Sequence, residues 1–183
     1  KRVDLSEFNS ASKAYFKAIN LADGDVVINA EIANEDNTIM EITALGQVLR
    51  YELGEVPTQG RAAGGVKGVK LNDGDKVVYA GQNDDEGEVI VITDNGYAKR
   101  VILATVDIIS RYSKGVKIVE LDKANVKFAG LVKMPYNLAI SEGGHTHLIN
   151  TEDIRIDSRT TKGKQIYKNT KIDVVATFND ENN

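Results

Sequence analysis

Apolar and polar positions alternate along this chain in short runs that are separated by turns. The runs are rich in Val, Ile and Tyr, and clusters such as "ADGD", "NDGD", "TDNG" and "SEGG" interrupt them. This pattern is typical of β-strands joined by tight turns. We therefore expect a mostly β chain with strands in the runs "VVINAEI" (26–32), "KVVYAG" (76–81), "EVIVIT" (88–93), "AKRVIL" (98–103), "GVKIVEL" (115–121) and "KIDVVATF" (171–178).

One segment, "SASKAYFKAIN" at 10–20, has apolar residues at both helical and strand spacing. Periodicity does not separate a helix from a strand in so short a segment. Because the rest of the chain is β-like, we predict a strand there.

Internal repetition is the strongest signal in the chain. "LADGDVVINA" at 21–30 returns as "LNDGDKVVYA" at 71–80, and "TALGQVLRY" at 43–51 is matched by "TDNGYAKRV" and "SEGGHTHLI". A glycine, an arginine fifteen residues later and a second glycine four residues after that recur in three sets: Gly46, Arg61 and Gly65; Gly96, Arg111 and Gly115; Gly144, Arg159 and Gly163. This spacing indicates a repeated unit of about fifty residues.

The chain therefore holds about three and a half repeats of roughly four strands each. We place them at approximately 1–37, 38–87, 88–135 and 136–177, within a single domain that is followed by a polar tail at 178–183. A four-stranded unit repeated radially is the pattern of a propeller blade. A β-solenoid and two β-sandwiches are the alternatives that periodicity leaves open. Since the chain begins at Lys1 without a Met, we expect it to be a fragment of a longer protein.

Charge follows the repeat. The net charge of −4 conceals basic segments at 56–71 (+3), 99–117 (+4) and 155–171 (+5), and acidic segments at 18–55 (−7) and 72–98 (−6). In a radial repeat, equivalent segments lie at equivalent places on the rim. We therefore expect one basic stripe that binds a polyanion. The alternative is that these segments are ordinary solvated loops.

The loop "GRAAGGVKG" at 60–68 is rich in both glycine and positive charge. Glycines let a backbone approach phosphate and expose its N–H groups, and Lys or Arg add charge. The loop lacks the spacing of a Walker A motif and the aromatics of a single-strand platform. It is therefore suited to nonspecific contact with a duplex. The alternative is that Gly64 and Gly65 only turn the chain.

Other chemistry is weakly represented. There is no Cys, which excludes disulfides and fits a cytoplasmic protein, and no apolar run is long enough to span a membrane. His145 and His147 share one face of a predicted strand but lack a third ligand. "NDDEGE" at 83–88 lacks the spacing of a calcium loop. We expect neither a metal site nor a membrane partner.

Three stretches resemble the repeats in the C-terminal domain of bacterial DNA gyrase A subunits and of the related topoisomerase IV A subunits. They are "GRAAGGVKGVKLNDGDKVV", "ITDNGYAKRV" and "SRYSKGVKIVEL". The resemblance runs in consistent order from "KRVDLSEF" at the start to "SRTTKGK" near the end. The gyrase hallmark Q-R-R-G-G-K-G is absent, and "QGRAAGGVKG" at 59–68 is more similar to the family's later blades. Gyrase and topoisomerase IV parents therefore both stay open.

This resemblance implies a β-pinwheel, a propeller-like ring or spiral of four-stranded blades that binds and bends duplex DNA around its basic edge. It also implies that the DNA is presented to the breakage-reunion core of a type IIA topoisomerase. The partners would be double-stranded DNA, the ATPase B subunit and the remainder of the A subunit, while the parent enzyme would use ATP and Mg. No tyrosine here has the context of the DNA-cleaving Tyr, and there is no ATPase motif, so we expect a non-catalytic fragment without its own cofactor. A propeller-like protein-interaction module is the alternative.

The basic stripe supplies the candidate DNA-binding residues. Contacts to phosphates carry little base information, so binding should be independent of sequence. The candidates are Arg61, Lys67, Lys70, Lys99, Arg100, Arg111, Lys114, Lys117, Arg159, Lys162 and Lys164.

Overall fold

The computed structural model describes residues 1–9, 15–168 and 171–178. Within these residues the secondary structure consists of short 3₁₀ helices and β-strands. The 3₁₀ helices are Leu5–Phe8, Leu53–Glu55, Leu103–Thr105 and Thr151–Asp153. The strands are β1 (Thr38–Thr43), β2 (Gln47–Glu52), β3 (Val77–Asn83), β4 (Glu88–Thr93), β5 (Tyr97–Ile102), β6 (Val116–Lys117), β7 (Val126–Val132), β8 (Asn137–Glu142), β9 (His145–Asn150), β10 (Lys164–Gln165) and β11 (Ile172–Phe178).

The strands form three antiparallel sheets, each built on a hairpin. The first has the order β3-β1-β2-β6, the second β10-β5-β4-β7, and the third β11-β8-β9. Gly46 and Gly96 close the first two hairpins at φ of +78° and +86°, a region that L side chains rarely adopt. The first glycine of these Gly–Arg–Gly sets thus lies in a hairpin turn. The predicted all-β, propeller-like architecture is confirmed.

Two of the sheets contain a strand from the following repeat. β6 comes after β5 in the chain but pairs with β2, where Val116 lies opposite Val48. β10 comes after β9 but pairs with β5, where Lys164 lies opposite Ala98. The first two sheets are therefore completed by a neighbour. The repeat pattern predicts four strands in each unit but does not indicate that one of them is exchanged.

The core lies between the sheets, and the second sheet is buried on both faces. Along β4, Val89 and Val91 pack toward the first sheet. Ile90 and Ile92 alternate with them and pack toward the third sheet. Burial on both faces explains why this strand is a continuous apolar run without the polar alternation of a half-exposed strand.

The strand predicted at 26–32 is wrong. These residues have no strand partner within the described part of the chain, and Val26, Ile28 and Ile32 are exposed. Side chains tie this stretch to β3, because Asn29 Nδ2 donates to the Ala80 carbonyl at 2.8 Å. A side-chain contact replaces the backbone ladder that a strand requires.

Two other strand predictions are only partly matched. The run at 115–121 forms a strand only at Val116–Lys117, although Ile118 and Val119 are buried in the core. In the predicted strand at 10–20, residues 10–14 lie outside the described residues, and 15–20 form neither strand nor helix. The repeat boundaries and the polar tail stay predictions.

Candidate nucleic-acid interface

The three basic segments contact one another in chain order. Lys70 N in the first segment donates to the Ser113 carbonyl in the second at 2.9 Å. Arg159 Nη1 in the third segment donates to the Lys117 carbonyl in the second at 2.9 Å. Segments that are far apart in sequence thus form a continuous band. We call it the basic band, and it comprises residues 56–71, 99–117, 155–168 and 171.

The repeated arginines lie where repeats meet. Arg111 Nη1 donates to the Lys67 carbonyl, as Arg159 does to Lys117. Lys67 and Lys117 each follow the arginine of their own repeat by six residues, so the two contacts are equivalent. The Arg61 guanidinium lies 5.0 Å from the centre of the Phe16 ring in the preceding segment. These arginines are half-buried and join neighbouring repeats, a role that the sequence did not reveal.

Lys99 is fully buried, with 0% of its surface exposed. Its Nζ donates to the carbonyls of Ser158, Arg159 and Thr161 at 2.6, 3.0 and 2.8 Å. Burial lowers the pKa of Lys99 to about 8. The expectation that Lys99 contacts phosphate is therefore corrected, because all three of its donors point into the protein.

Arg100 is also committed to internal contacts. Its Nε donates to the Ile154 carbonyl at 2.7 Å, and its Nη1 pairs with Glu88 at 2.9 Å. Arg50, one repeat earlier, is buried, and its Nη1 donates to the Val106 carbonyl at 3.2 Å. Arg100 therefore joins neighbouring repeats in this structure, and its predicted DNA contact stays a prediction. The available signal was an arginine four residues after the hairpin glycine in two repeats, within β2 and within β5.

The remaining candidates are accessible lysines, of which four are free of ion pairs. Lys67, Lys70, Lys114 and Lys164 are exposed, and within the described part of the chain no carboxylate pairs with them. Lys67 Nζ lies 5.4 Å from the centre of the Tyr112 ring, which orients it without neutralising it. These four ammonium groups are exposed positive charges of the predicted set that have no carboxylate partner among the described residues.

Two further lysines of the band are accessible but paired. Lys117 Nζ contacts Glu120 at 2.7 Å, and Lys162 Nζ contacts Asp122 at 2.8 Å. The hydrogen bond from Lys117 lowers the pKa of Glu120, and the bond to Asp122 raises the pKa of Lys162. Surface ion pairs of this kind contribute little to stability. Both lysines therefore remain available to exchange a carboxylate for another anion.

Three glycines of the band, one in each repeat, have backbone conformations that favour glycine. Gly65, Gly115 and Gly163 have φ of +90°, +74° and +82°. A Cβ at Gly163 would lie 2.5 Å from the Ala98 carbonyl oxygen, and one at Gly115 would overlap the Val48 carbonyl. Gly115 and Gly163 thus let β6 and β10 approach the preceding sheet, and the positive φ of Gly65 supports the turn-forming interpretation of that residue.

The other constellations are held by internal contacts. His147 Nε2 lies 3.5 Å from Glu142, and its ring centre is 5.2 Å from that of Tyr167. In the acidic turn, Asp84 pairs with Lys133, and Asp85 pairs with Arg50. Across residues 1–9, 15–168 and 171–178, no three His, Cys, Asp or Glu side chains are grouped to hold a metal ion. No helix in the same ranges has the length and hydrophobicity to span a membrane.

Fold and band together define a stack of β-blades whose basic loops join end to end, which is a β-pinwheel. Residues 1–34, 38–83 and 87–131 match the family described as DNA gyrase C-terminal domain, beta-propeller. The chain belongs to this family and is a C-terminal domain of a type IIA topoisomerase A subunit. The predicted resemblance and the pinwheel fold are confirmed.

Curated relatives match a limited stretch. The DNA gyrase A subunit of Chlamydia trachomatis serovar D is 41% identical over 69 residues, which are 37% of this chain and 8% of that protein. The DNA gyrase A subunit of Salmonella typhimurium is 35% identical over 68 residues, with the same coverage. The matched stretch is therefore a small part of the relatives' length.

Solved structures extend the similarity of fold to nearly the whole chain. The C-terminal domain of DNA topoisomerase IV superposes with a TM-score of 0.86 at 22% identity, covering 96% of this chain and 57% of that one. The DNA gyrase A C-terminal domain gives a TM-score of 0.78 at 21% identity, covering 96% and 61%. Both structures share the pinwheel fold with this chain.

Proposed function

We propose that this chain binds duplex DNA along the basic band and bends it around the rim of the pinwheel. The observation that carries the proposal is the hydrogen-bonded contact of the three basic segments. These segments contain four exposed lysines, Lys67, Lys70, Lys114 and Lys164, together with Lys117 and Lys162. Lysine ammonium groups that follow one continuous surface match the regular charge of a phosphate backbone. Three half-buried arginines fix the shape of the band and, because they are partly exposed, also add positive charge to its surface. They are Arg61, Arg111 and Arg159.

In the parent protein, the bound DNA is presented to the breakage-reunion core of a type IIA topoisomerase. Its partners are then the ATPase B subunit and the remainder of the A subunit, in the cytoplasm. The parent uses ATP and Mg, while this chain contributes no catalytic residue. Family membership supports this setting. Supercoiling of relaxed plasmid by the full-length parent distinguishes a gyrase from a topoisomerase IV.

The test replaces the exposed lysines of the band. Binding of a labelled random-sequence duplex is measured by fluorescence anisotropy between about 50 and 200 mM salt. The variant K67Q/K114Q/K164Q should bind more weakly, and the slope of log affinity against log salt should shrink by about 2 to 3, since each lost phosphate contact removes about 0.9. The expected loss should be the same for unrelated duplex sequences.

The matched control removes the same charge elsewhere. K76Q/K123Q/K127Q replaces three exposed lysines that lie outside the band. It should retain nearly the parent slope, while circular dichroism verifies that both variants are folded. If the two variants lose affinity equally, the band has no special role. If the unsubstituted chain itself does not bind duplex DNA, a protein-interaction module becomes the better explanation.

A further inference from the structure

Lys99 places a charged group where the fold accepts an apolar one. It lies on β5, and the equivalent residue on β2 of the preceding repeat is Leu49, which is also fully buried. Leu49 shows that this place can be filled without a charge. A buried ammonium is costly unless it is fully hydrogen-bonded, so its presence calls for a reason beyond packing.

The contacts of Lys99 converge on a single loop of the basic band. All three donors of its ammonium are used by carbonyls within residues 158–161. A Cβ at Gly163 would lie 2.9 Å from the Lys99 Cβ, so the loop closes directly over the side chain. Drawing three carbonyls inward fixes the backbone from which Arg159, Lys162 and Lys164 project.

The first repeat contains one of these contacts at the equivalent position, made by a lysine that is only partly buried. Lys1 occupies the position of Lys99 in "KRVDL", and its Nζ donates to the Arg61 carbonyl, as Lys99 does to the Arg159 carbonyl. In both cases a lysine holds the loop that carries the repeated arginine. The recurrence of this contact argues against an accident of packing at one site.

We propose that Lys99 is a positioning residue for DNA binding, which rests on the proposed function: its ammonium holds the loop at 158–161 so that Lys162 and Lys164 meet the phosphate backbone. Lys99 itself does not touch DNA. The Lys99 ammonium binds three backbone carbonyls of the loop from inside the protein, and Lys162 and Lys164 lie on the outer surface.

A double-mutant cycle tests the coupling. The parent, K99M, K162Q/K164Q and the combined variant are titrated with labelled random-sequence duplex over a range of salt concentrations. In the parent, K162Q/K164Q should reduce the salt slope by about 2. In the K99M background the same change should reduce it by less than about 1, because the released loop no longer presents both lysines. The control L49M, at the equivalent place in the preceding repeat, should leave the slope unchanged.

The outcomes separate this inference from the proposed function. A parent that binds no DNA rejects the proposed function. The unsubstituted chain could instead bind DNA with the expected dependence on Lys162 and Lys164. If the effects of K99M and K162Q/K164Q are then additive, the proposed role of Lys99 is overturned while the proposed function stands. If K99M does not fold, the cycle is repeated with K99Q, which retains two of the donors. Failure of both variants to fold would assign Lys99 to stability and overturn the proposal.

Discussion

Replacing Gly163 with Ala should destabilise the fold much more than the same change at Gly144. Both glycines have φ of +82°, so the backbone penalty for adding a Cβ is the same, at about 1 to 2 kcal/mol. They differ in surroundings. Among the described residues, nothing lies within 4 Å of a Cβ built on Gly144, whereas one on Gly163 would lie 2.5 Å from the Ala98 carbonyl oxygen.

The additional penalty follows from this contact. Real Cβ atoms essentially never approach a heavy atom closer than 3.0 Å, so either the turn or β5 must move. Gly163 immediately precedes β10, which is only two residues long, and a shift there weakens its pairing with β5. Loss of one or two such hydrogen bonds adds about 1 to 2 kcal/mol. We therefore expect a total of about 3 kcal/mol for G163A.

Urea unfolding followed by circular dichroism measures both variants at the same temperature. G163A should lower the free energy of unfolding by about 1 to 2 kcal/mol more than G144A does. Equal losses would refute the reasoning, because they would mean that the close approach of β10 to β5 is not a constraint on the fold. A smaller slope of the unfolding transition in G163A would instead indicate that the second sheet no longer unfolds together with the rest.

Two further predictions concern buried cations. Burial lowers the pKa of Lys99 to about 8, whereas a lysine in an unfolded chain has a pKa of about 10.4. Between these two pH values the unfolded chain binds more protons than the folded chain. The free energy of unfolding of the unsubstituted chain should therefore rise with pH relative to that of K99M. Urea unfolding of both proteins at about pH 7.5 and about pH 9.5 measures this difference, and parallel pH dependence contradicts it. R50A should lower the free energy of unfolding by about 2 to 3 kcal/mol, because Arg50 is buried and bonds Thr38 and the Val106 carbonyl. The control R155A removes the ion pair between the exposed Arg155 and the half-buried Asp157 and should cost less than R50A. Similar losses in the two variants would count against the inter-repeat role of Arg50.

The repeat could be recognised in the sequence because its constraints are local. Gly46 and Gly96 recur since hairpin turns need positive φ, and Gly115 and Gly163 recur since a side chain there would collide with the preceding sheet. Such constraints act on residue type at fixed spacing. For this reason the blade-like architecture and the adjacency of the basic segments could be predicted without coordinates.

The role of each charge could not be recognised in this way. Lys99 and Lys114 contribute equally to a count of positive charge, yet one is fully buried and the other exposed. Lysine is so seldom buried that a sequence pattern assigns it to the surface by default. The repeat position held the missing signal, because an apolar Leu49 stands where Lys99 does.

The strand predicted at 26–32 failed for a different reason. Its composition suits a strand, but a strand exists only when a partner supplies hydrogen bonds, and here Asn29 and Glu31 contact β3 through side chains. β-propensity reflects the surroundings as much as the residue. Pairing between distant segments, such as β6 with β2, is likewise invisible to local periodicity.

The exchanged strands make the unit of folding different from the unit of duplication. A cut near residue 135, between two repeats, would remove β10 and leave the second sheet one strand short. The boundaries near residues 87 and 135 therefore do not divide the chain into two self-sufficient parts. Deletion of one whole repeat is different. Wherever such a deletion begins, it brings the equivalent short strand of a later repeat to the edge of the sheet that lost its own. Such an array tolerates the gain or loss of entire repeats but not of parts of a repeat. Related chains are therefore expected to differ in the number of blades.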